Sequence, residues 1–209
     1  MDSINVTGSS ELIVALSKVE IPETRRLSLI VTTASTSESQ RATMLALNRT
    51  LRKAVVRAEA SLTILDDAIA VDAQAIDWPS LTHVQIAATT QVGTALAIIG
   101  RLSGIVHAAF YNILVEGVPD EACLLNGPAA KHTRVAPLNA SLQQLALGHE
   151  QSAGADEATA ATIKYLALAL PRLRMLCAWA PVDLRPFIDD YSSVYPHLSG
   201  IHFRLGAAE

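Results

Sequence analysis

The chain has 209 residues, of which 50% are hydrophobic and 17% are charged. This composition argues against a disordered chain, because disordered segments are poor in apolar side chains and rich in charge. A formal net charge of −4 argues against a globally basic nucleic-acid-binding protein, although one local basic face is compatible with it. We expect a single domain over residues 1–209 that buries about 70% of the surface of the unfolded chain.

The first long element is predicted after a short helix at 9–19 and an ambiguous stretch at 21–35. Apolar residues then recur at alternating spacings of three and four, which is the pattern of an amphipathic helix with a seam for a partner helix. They are Met44, Leu47, Leu51, Val55, Ala58, Leu62, Leu65 and Ile69. The pattern predicts one helix over about 37–74.

A second long helix is predicted over about 80–115, because Asp77-Trp78-Pro79 is typical of a break followed by a new helix start. Its later part is almost wholly apolar and contains the G-x-x-x-G pair Gly100 and Gly104. A membrane span is the alternative, but a central arginine is costly in a bilayer. We therefore predict a buried central helix and no membrane span.

The rest of the chain is predicted to hold shorter elements around these two helices. They are a loop at 116–136, a helix at 137–147, a helix at 157–179 that Pro171 kinks or splits, a helix at 183–193, and a short extended C-terminal tail. No internal repeat is evident. The predicted fold is an all-α helical bundle of about five to seven helices.

A basic cluster on the first long helix is the strongest electrostatic feature of the sequence. It comprises Arg41, Arg49, Arg52, Lys53 and Arg57. On one helix most of these side chains share a broad face that suits the phosphates of a nucleic acid or another polyanion, with a solvated face as the alternative. A further group, Arg172, Arg174 and Arg185 near Pro171, suits an anion or a subunit contact.

Signals for catalysis and for cofactors are sparse. No phosphate loop, dinucleotide fingerprint or G-x-S-x-G motif is present. The six histidines lack metal-ligand spacing, and Cys123 and Cys177 lie in no C-x-x-C pattern, so we expect no metal, no cofactor and reduced cysteines. The N-terminus lacks a secretory signal, which predicts a cytoplasmic or intracellular protein, virion-associated if it is coat-like.

The leading functional hypothesis is a structural protein, a self-associating helical-bundle subunit of a homo-oligomer, coat- or nucleocapsid-like, whose basic helix face contacts nucleic acid. Its helix-packing or oligomer interface is predicted at Leu51, Val55, Leu62, Gly100 and Gly104. One alternative is a bundle that holds an apolar small molecule or lipid between its long helices. An enzyme with a site assembled from distant residues is the third hypothesis, and no small molecule is expected to be obligatory.

Overall fold

The computed structural model describes residues 2–32, 45–50, 52–65, 76, 78–114, 134–149, 156–178 and 184–205. The strands are β1 (Ser3–Gly8), β2 (Thr24–Val31), β3 (Val56–Ile64), β4 (His83–Ile86), β5 (Thr90–Gln91), β6 (His107–Leu114), β7 (Gln144–His149), β8 (Met175–Ala178) and β9 (His202–Leu205). The helices are α1 (Ser10–Leu16), α2 (Val92–Arg101), α3 (Asp156–Ala169), α4 (Arg185–Tyr191) and a 3-10 helix at Pro196–Gly200. Residues 45–50 and 52–53 are helical as well.

The strands form one nine-stranded sheet in which every described pair is parallel. Eight strands lie side by side in chain order, from β1 at one edge to β9 at the other, and the short β5 also pairs with β6. The prediction of an all-α helical bundle is therefore wrong. The predicted extended C-terminal tail is part of this sheet, because β9 pairs with β8.

Apart from the short β5, each strand of the sheet lies beside the strand that follows it along the chain, so the chain crosses the sheet from one edge to the other without turning back. Connections between parallel strands are right-handed in about 98% of cases. Right-handed connections that all move in the same direction across a sheet pass over the same face of it. The strand side chains of that face form one apolar core with Ile13 of α1, Ile98 of α2 and Leu166 of α3. The opposite face, which we call the open face, keeps its alternating side chains partly exposed along β2, β3, β4 and β8.

Four strands repeat one hydrophobic pattern that the sequence analysis missed. The pattern is Leu81-x-x-Val84-x-Ile86, Ile105-x-x-Ala108-x-Phe110, Leu142-x-x-Leu145-x-Leu147 and Leu173-x-x-Leu176-x-Ala178. The ladder aligns the last two positions across the four strands, and all twelve side chains belong to the core or pack against it. Val84, Ala108, Leu145 and Leu176 follow one another at unequal intervals of 24, 37 and 31 residues, so no fixed period marks the repeat.

Neither of the two long predicted helices exists in the described residues. Within 37–74, helical residues end at 53 and β3 follows, where Ala60, Leu62 and Ile64 are buried at every second position. That alternation is the period of a strand with one buried face. The spacings of three and four also fitted these residues, because a region rich in apolar side chains satisfies both periods.

The second predicted helix, 80–115, is a strand, a helix and another strand, namely β4, α2 and β6. Helix α2 ends at Arg101 and a turn follows it. Gly104 lies in that turn, where an added Cβ would stand 2.9 Å from the carbonyl oxygen of Pro79. Gly104 therefore permits a close backbone approach rather than helix packing. The hypothesis of an apolar ligand held between two long helices loses its premise.

Some shorter predictions agree with the structure. The helix expected at 9–19 is α1, and the helix expected at 183–193 contains α4. The helix predicted at 157–179 is right only in its first half, since α3 ends at Ala169 before Pro171 and the strand β8 lies at Met175–Ala178. The helix predicted at 137–147 is wrong, because β7 begins at Gln144. The loop predicted at 116–136 lies mostly outside the described residues.

Asn139 ties α2 to the start of β7. Its buried side-chain amide donates hydrogen bonds to the carbonyl oxygens of Ile99 and Leu102, at 2.7 and 2.9 Å. Its Oδ1 accepts bonds from the backbone N–H groups of Ser141 and Leu142. Carbonyls at a helix C-terminus have no partner within the helix, so Asn139 supplies one and fixes the turn that leads into β7.

Candidate binding surface

The open face carries a row of aligned side chains, one from each of eight strands. In register order the row is Asn5, Ser28, Ser61, His83, His107, Gln144, Met175 and His202. All eight are half-buried or exposed, whereas the next residue along each of β2 to β4 and β6 to β8 is buried. We call this set the open-face row. It consists mainly of uncharged polar groups and histidines.

Two histidines stand together at the middle of the open-face row. The rings of His83 and His107 are nearly parallel, at an angle of 20°, with 5.8 Å between their centroids. His107 Nδ1 lies 3.0 Å from Gln144 Oε1, so this nitrogen donates a proton to the amide oxygen. His83 Nδ1 lies 2.9 Å from the hydroxyl oxygen of Thr82. These contacts fix both rings.

Burial lowers the pKa of His83 from its ordinary value of 6.5. The Glu59 carboxylate acts in the opposite direction, and His107 lowers the pKa of His83 a little further. Glu59 is itself 3.6 Å from the Arg26 guanidinium. Near neutral pH the open face therefore presents a neutral imidazole at His83, which can both donate and accept hydrogen bonds.

A second aligned row of the open face follows two residues further along each strand. It comprises Thr7, Ile30, Thr63, Gln85, Ala109, Ala146, Cys177 and Arg204. Five of these eight side chains are short, and Ala109 is buried, with 1% of its surface exposed. Cys177 is a free, half-buried thiol. In the part of the chain that the structure describes, no group of three or more His, Cys, Asp or Glu side chains is placed to hold a metal ion.

Two cavities lie where strands begin, at the amino edge of the sheet. The first, of about 640 Å³, is lined by Asp2, Glu23, Thr24, Arg25, Arg57 and Ala58 beside β2 and β3. The second, of about 600 Å³, is lined by Gln143, Pro171, Arg172, Leu173, Arg174, His197, Gly200 and His202 beside β8 and β9. We call the first the paired cavity, because Arg57 and Glu23 form an ion pair in it, and the second the arginine cavity. His202 belongs both to the arginine cavity and to the open-face row.

The predicted basic cluster is not carried by a single helix. Arg49, Arg52 and Lys53 are exposed on helical residues, whereas Arg57 lies on β3, where its Nε donates to Glu23 Oε1 at 2.6 Å. Arg41 lies outside the described residues. The structure therefore places three of the five residues together and gives Arg57 an acidic partner.

The predicted interface residues are also dispersed. Leu62 is fully buried in β3, Val55 is 56% exposed, and Leu51 lies outside the described residues. Gly100 faces Leu138, since an added Cβ would lie 3.1 Å from its Cδ1, and Gly104 lies beside Pro79. Because Leu62 is fully buried, the four described residues of this set do not all lie on one exposed surface.

The open-face row is not evident from the sequence, because its histidines come from strands that are far apart along the chain. The available signal was the alternation in LTHVQI, where Leu81, Val84 and Ile86 are buried around His83. Parallel pairing then brings His107 beside His83 from 24 residues away.

No protein-family model, no curated protein and no solved structure matches this chain. Among the described residues, no helix has both the length and the apolar character needed to cross a membrane.

Proposed function

We propose that this protein binds another protein through the open face of its sheet. The observation that carries the proposal is the open-face row itself. Parallel sheets normally have both faces covered, and their strands are then apolar throughout. Here β2, β3, β4 and β8 alternate buried with partly exposed side chains, and in β2, β3 and β4 the exposed positions are mainly polar.

The size of the surface supports a macromolecular partner. Strands lie about 4.8 Å apart, so eight of them extend the open-face row over at most roughly 34 Å. That length exceeds what a small ligand contacts and suits a folded domain or an extended peptide. Because six of the eight side chains are Asn, Ser, His or Gln from β1 to β7, the row favours a partner with neutral polar groups over a highly charged one.

The repeated hydrophobic pattern supports the same reading. L-x-x-L-x-L is the strand portion of the pattern in leucine-rich repeat solenoids, in which parallel strands line one extended surface. The four patterned strands of this chain are similar to it, with longer and less regular intervals. Proteins built by stacking such units use that surface to bind partners.

The earlier hypotheses of self-association and nucleic-acid contact stay predictions. For self-association, β1 and β9 are the edge strands of the described sheet, and edge strands are the positions at which a second copy can pair. For nucleic acid, the exposed helical residues Arg49, Arg52 and Lys53 carry what is left of the basic cluster. Both predictions began from a helical bundle, which is wrong, so only the edge strands and these three basic residues now support them.

The proposal is tested by adding charge to the open face. We expect Ser61→Arg combined with Gln144→Arg to weaken partner binding at least about tenfold, because two cations would have to lose their water in the interface. The matched control is Ala15→Arg with Ala97→Arg, which adds the same charge to exposed positions of α1 and α2. Partners captured by the wild-type protein are identified and purified, and their dissociation constants are measured by calorimetry.

The control variant should retain the wild-type affinity, and both variants should melt within a few degrees of the wild-type protein. Equal affinity of the open-face variant and the wild-type protein for every purified partner would refute the proposal. So would an equal loss of affinity in the control variant.

A further inference from the structure

The arginine cavity is built on a fixed turn between α3 and β8. The N–H of Leu173 donates to the carbonyl of Leu170 at 3.0 Å, which closes the turn Leu170–Leu173. Pro171 occupies the second position of this turn, where its locked φ angle suits the geometry. Arg172 is thus attached to a backbone that is held in place before any ligand arrives.

The sheet fixes the other residues of the arginine cavity. The N–H of Arg174 donates to the carbonyl of Gln143 at 2.8 Å, and the carbonyl of Arg174 accepts from the N–H of His202 at 2.8 Å. His197 Nε2 donates to the carbonyl of Ala167 at 3.0 Å, which orients its ring. Three neighbouring strands and the 3-10 helix therefore converge on one space.

The positive charge of the arginine cavity is not balanced by any described residue that lines it. Among the described lining residues there are two arginines and two histidines but no carboxylate. Arg26 pairs with Glu59 and Arg57 with Glu23, whereas neither Arg172 nor Arg174 has a carboxylate partner among the described residues. Two permanent positive charges thus face a cavity whose volume of about 600 Å³ lies in the range of small-molecule sites.

We propose that the arginine cavity binds the dianion of a phosphate monoester. Two guanidinium groups match a group that carries a charge of about −1.5 to −2 at pH 7, whereas one carboxylate would balance only one of them. The planar fork of arginine donates paired hydrogen bonds to phosphate oxygens. Gln143, His197 and His202 add further hydrogen-bonding groups. The inference is independent of the proposed partner binding by the open face.

The test is calorimetric titration of the full chain at low salt. The probes are inorganic phosphate, glycerol 1-phosphate and a short phosphoserine peptide, with acetate and the unphosphorylated peptide as comparisons. We expect the phosphate-bearing probes to bind and acetate to bind at least about tenfold more weakly. Binding should weaken as sodium chloride is raised. Tighter binding of glycerol 1-phosphate indicates a small-molecule ligand, and tighter binding of the peptide indicates a phosphorylated protein.

Variants assign the binding to the arginine cavity. Arg172→Gln with Arg174→Gln should lose at least about tenfold in affinity, because charge-assisted hydrogen bonds are lost. The matched control, Lys18→Gln with Arg101→Gln, removes two exposed charges elsewhere and should stay within about twofold of the wild-type protein. Absence of binding by every phosphate probe, acetate binding as tight as phosphate, or an equal loss in the control would overturn the proposal. Melting temperatures show that both variants are folded.

Discussion

The paired cavity and the arginine cavity lie at the same edge of the sheet and have similar volumes, about 640 and 600 Å³. In the paired cavity Arg57 is bound to Glu23 at 2.6 Å, and Asp2 adds a second carboxylate. In the arginine cavity Arg172 and Arg174 face no carboxylate among the described lining residues. Volume and position are thus shared, but Arg57 has a carboxylate partner within its cavity and Arg172 and Arg174 have none among the described lining residues.

This difference separates a structural use of arginine from a recognition use. An arginine with an internal partner attracts an incoming anion less strongly, because the partner already balances its charge and takes one of its five donors. An arginine without one is neutralised by solvent ions or by a ligand. Cavity volume alone would rank the two sites as equals, so charge compensation is the property that distinguishes them.

The largest expected effect separates packing from charge in the arginine cavity. Leu173 is 3% exposed and contributes both to the cavity wall and to the core. We expect Leu173→Ala to lower the free energy of unfolding by about 2–5 kcal/mol, measured by urea denaturation, and to leave phosphate affinity within about threefold. Leu12→Ala, the same change at a position that is 44% exposed, should cost less than about 0.5 kcal/mol. Loss of phosphate binding in a folded Leu173→Ala protein would contradict the assignment of binding to charge.

The next prediction concerns a variant that adds a carboxylate to the arginine cavity, as Glu23 provides in the paired cavity. A Cβ at Gly200 meets no heavy atom within 4 Å, so a side chain fits there. Gly200→Glu supplies the missing carboxylate and should weaken phosphate binding at least about tenfold in calorimetry, by competition and repulsion. Gly200→Gln has nearly the same size without the charge and should lose less than about threefold. Equal losses in the two variants would show that bulk, not charge, sets the difference between the cavities.

The smallest effect concerns the paired cavity. The pKa of Glu23 is lowered from its ordinary value of 4.5, first by its hydrogen bond with Arg57 and then by the charge of Arg57. Glu23→Gln removes the internal carboxylate, so weak sulfate binding should appear at Arg25 and Arg57, detected by chemical-shift changes in NMR titrations. Both partners are exposed, which keeps the effect small. A Glu23→Gln protein as indifferent to sulfate as the wild-type protein would show that compensation by Glu23 does not distinguish the cavities.

The same pair gives a pH dependence of known sign. Because the pKa of Glu23 is lower in the folded state, the pair's contribution to stability is present above pH 4.5 and is lost as pH falls through the lowered pKa. The difference in melting temperature between the wild-type and Glu23→Gln proteins should therefore shrink on acidification.

The parts of the fold that the sequence predicted are those fixed by neighbouring residues. Helix α1 and helix α4 are short and have local start and stop signals, and Pro171 ends α3 for a local steric reason. The sheet depends on pairing between distant segments. In an alanine- and leucine-rich chain, spacings of three and four arise alongside the alternation of Ala60, Leu62 and Ile64, so the sequence pattern alone does not distinguish a helix from the strand that forms there.

In the candidate sites, too, the sequence predicts what neighbouring residues determine and not what pairing between distant strands determines. Arg172 and Arg174 were noticed in the sequence because they are close together beside Pro171. His197 and His202 were not connected with them, because only the register of β8 and β9 and the position of the 3-10 helix bring them to the same cavity. The stacking of His83 on His107 likewise depends on the pairing of β4 with β6.

The chain-order arrangement of the strands has a consequence for how the molecule comes apart. Each strand from β1 to β9 contacts its immediate neighbours in the sheet, so the stability of a strand depends mainly on the strands beside it. Loosening an end strand breaks one interface, whereas loosening a central strand breaks two, and amide hydrogens should therefore exchange first at the ends. The arginine cavity spans the last three strands. An anion bound there would hold β9 against the rest of the sheet and raise the free energy of opening at that end. The fraction of molecules with β9 detached would therefore fall as the ligand concentration rises.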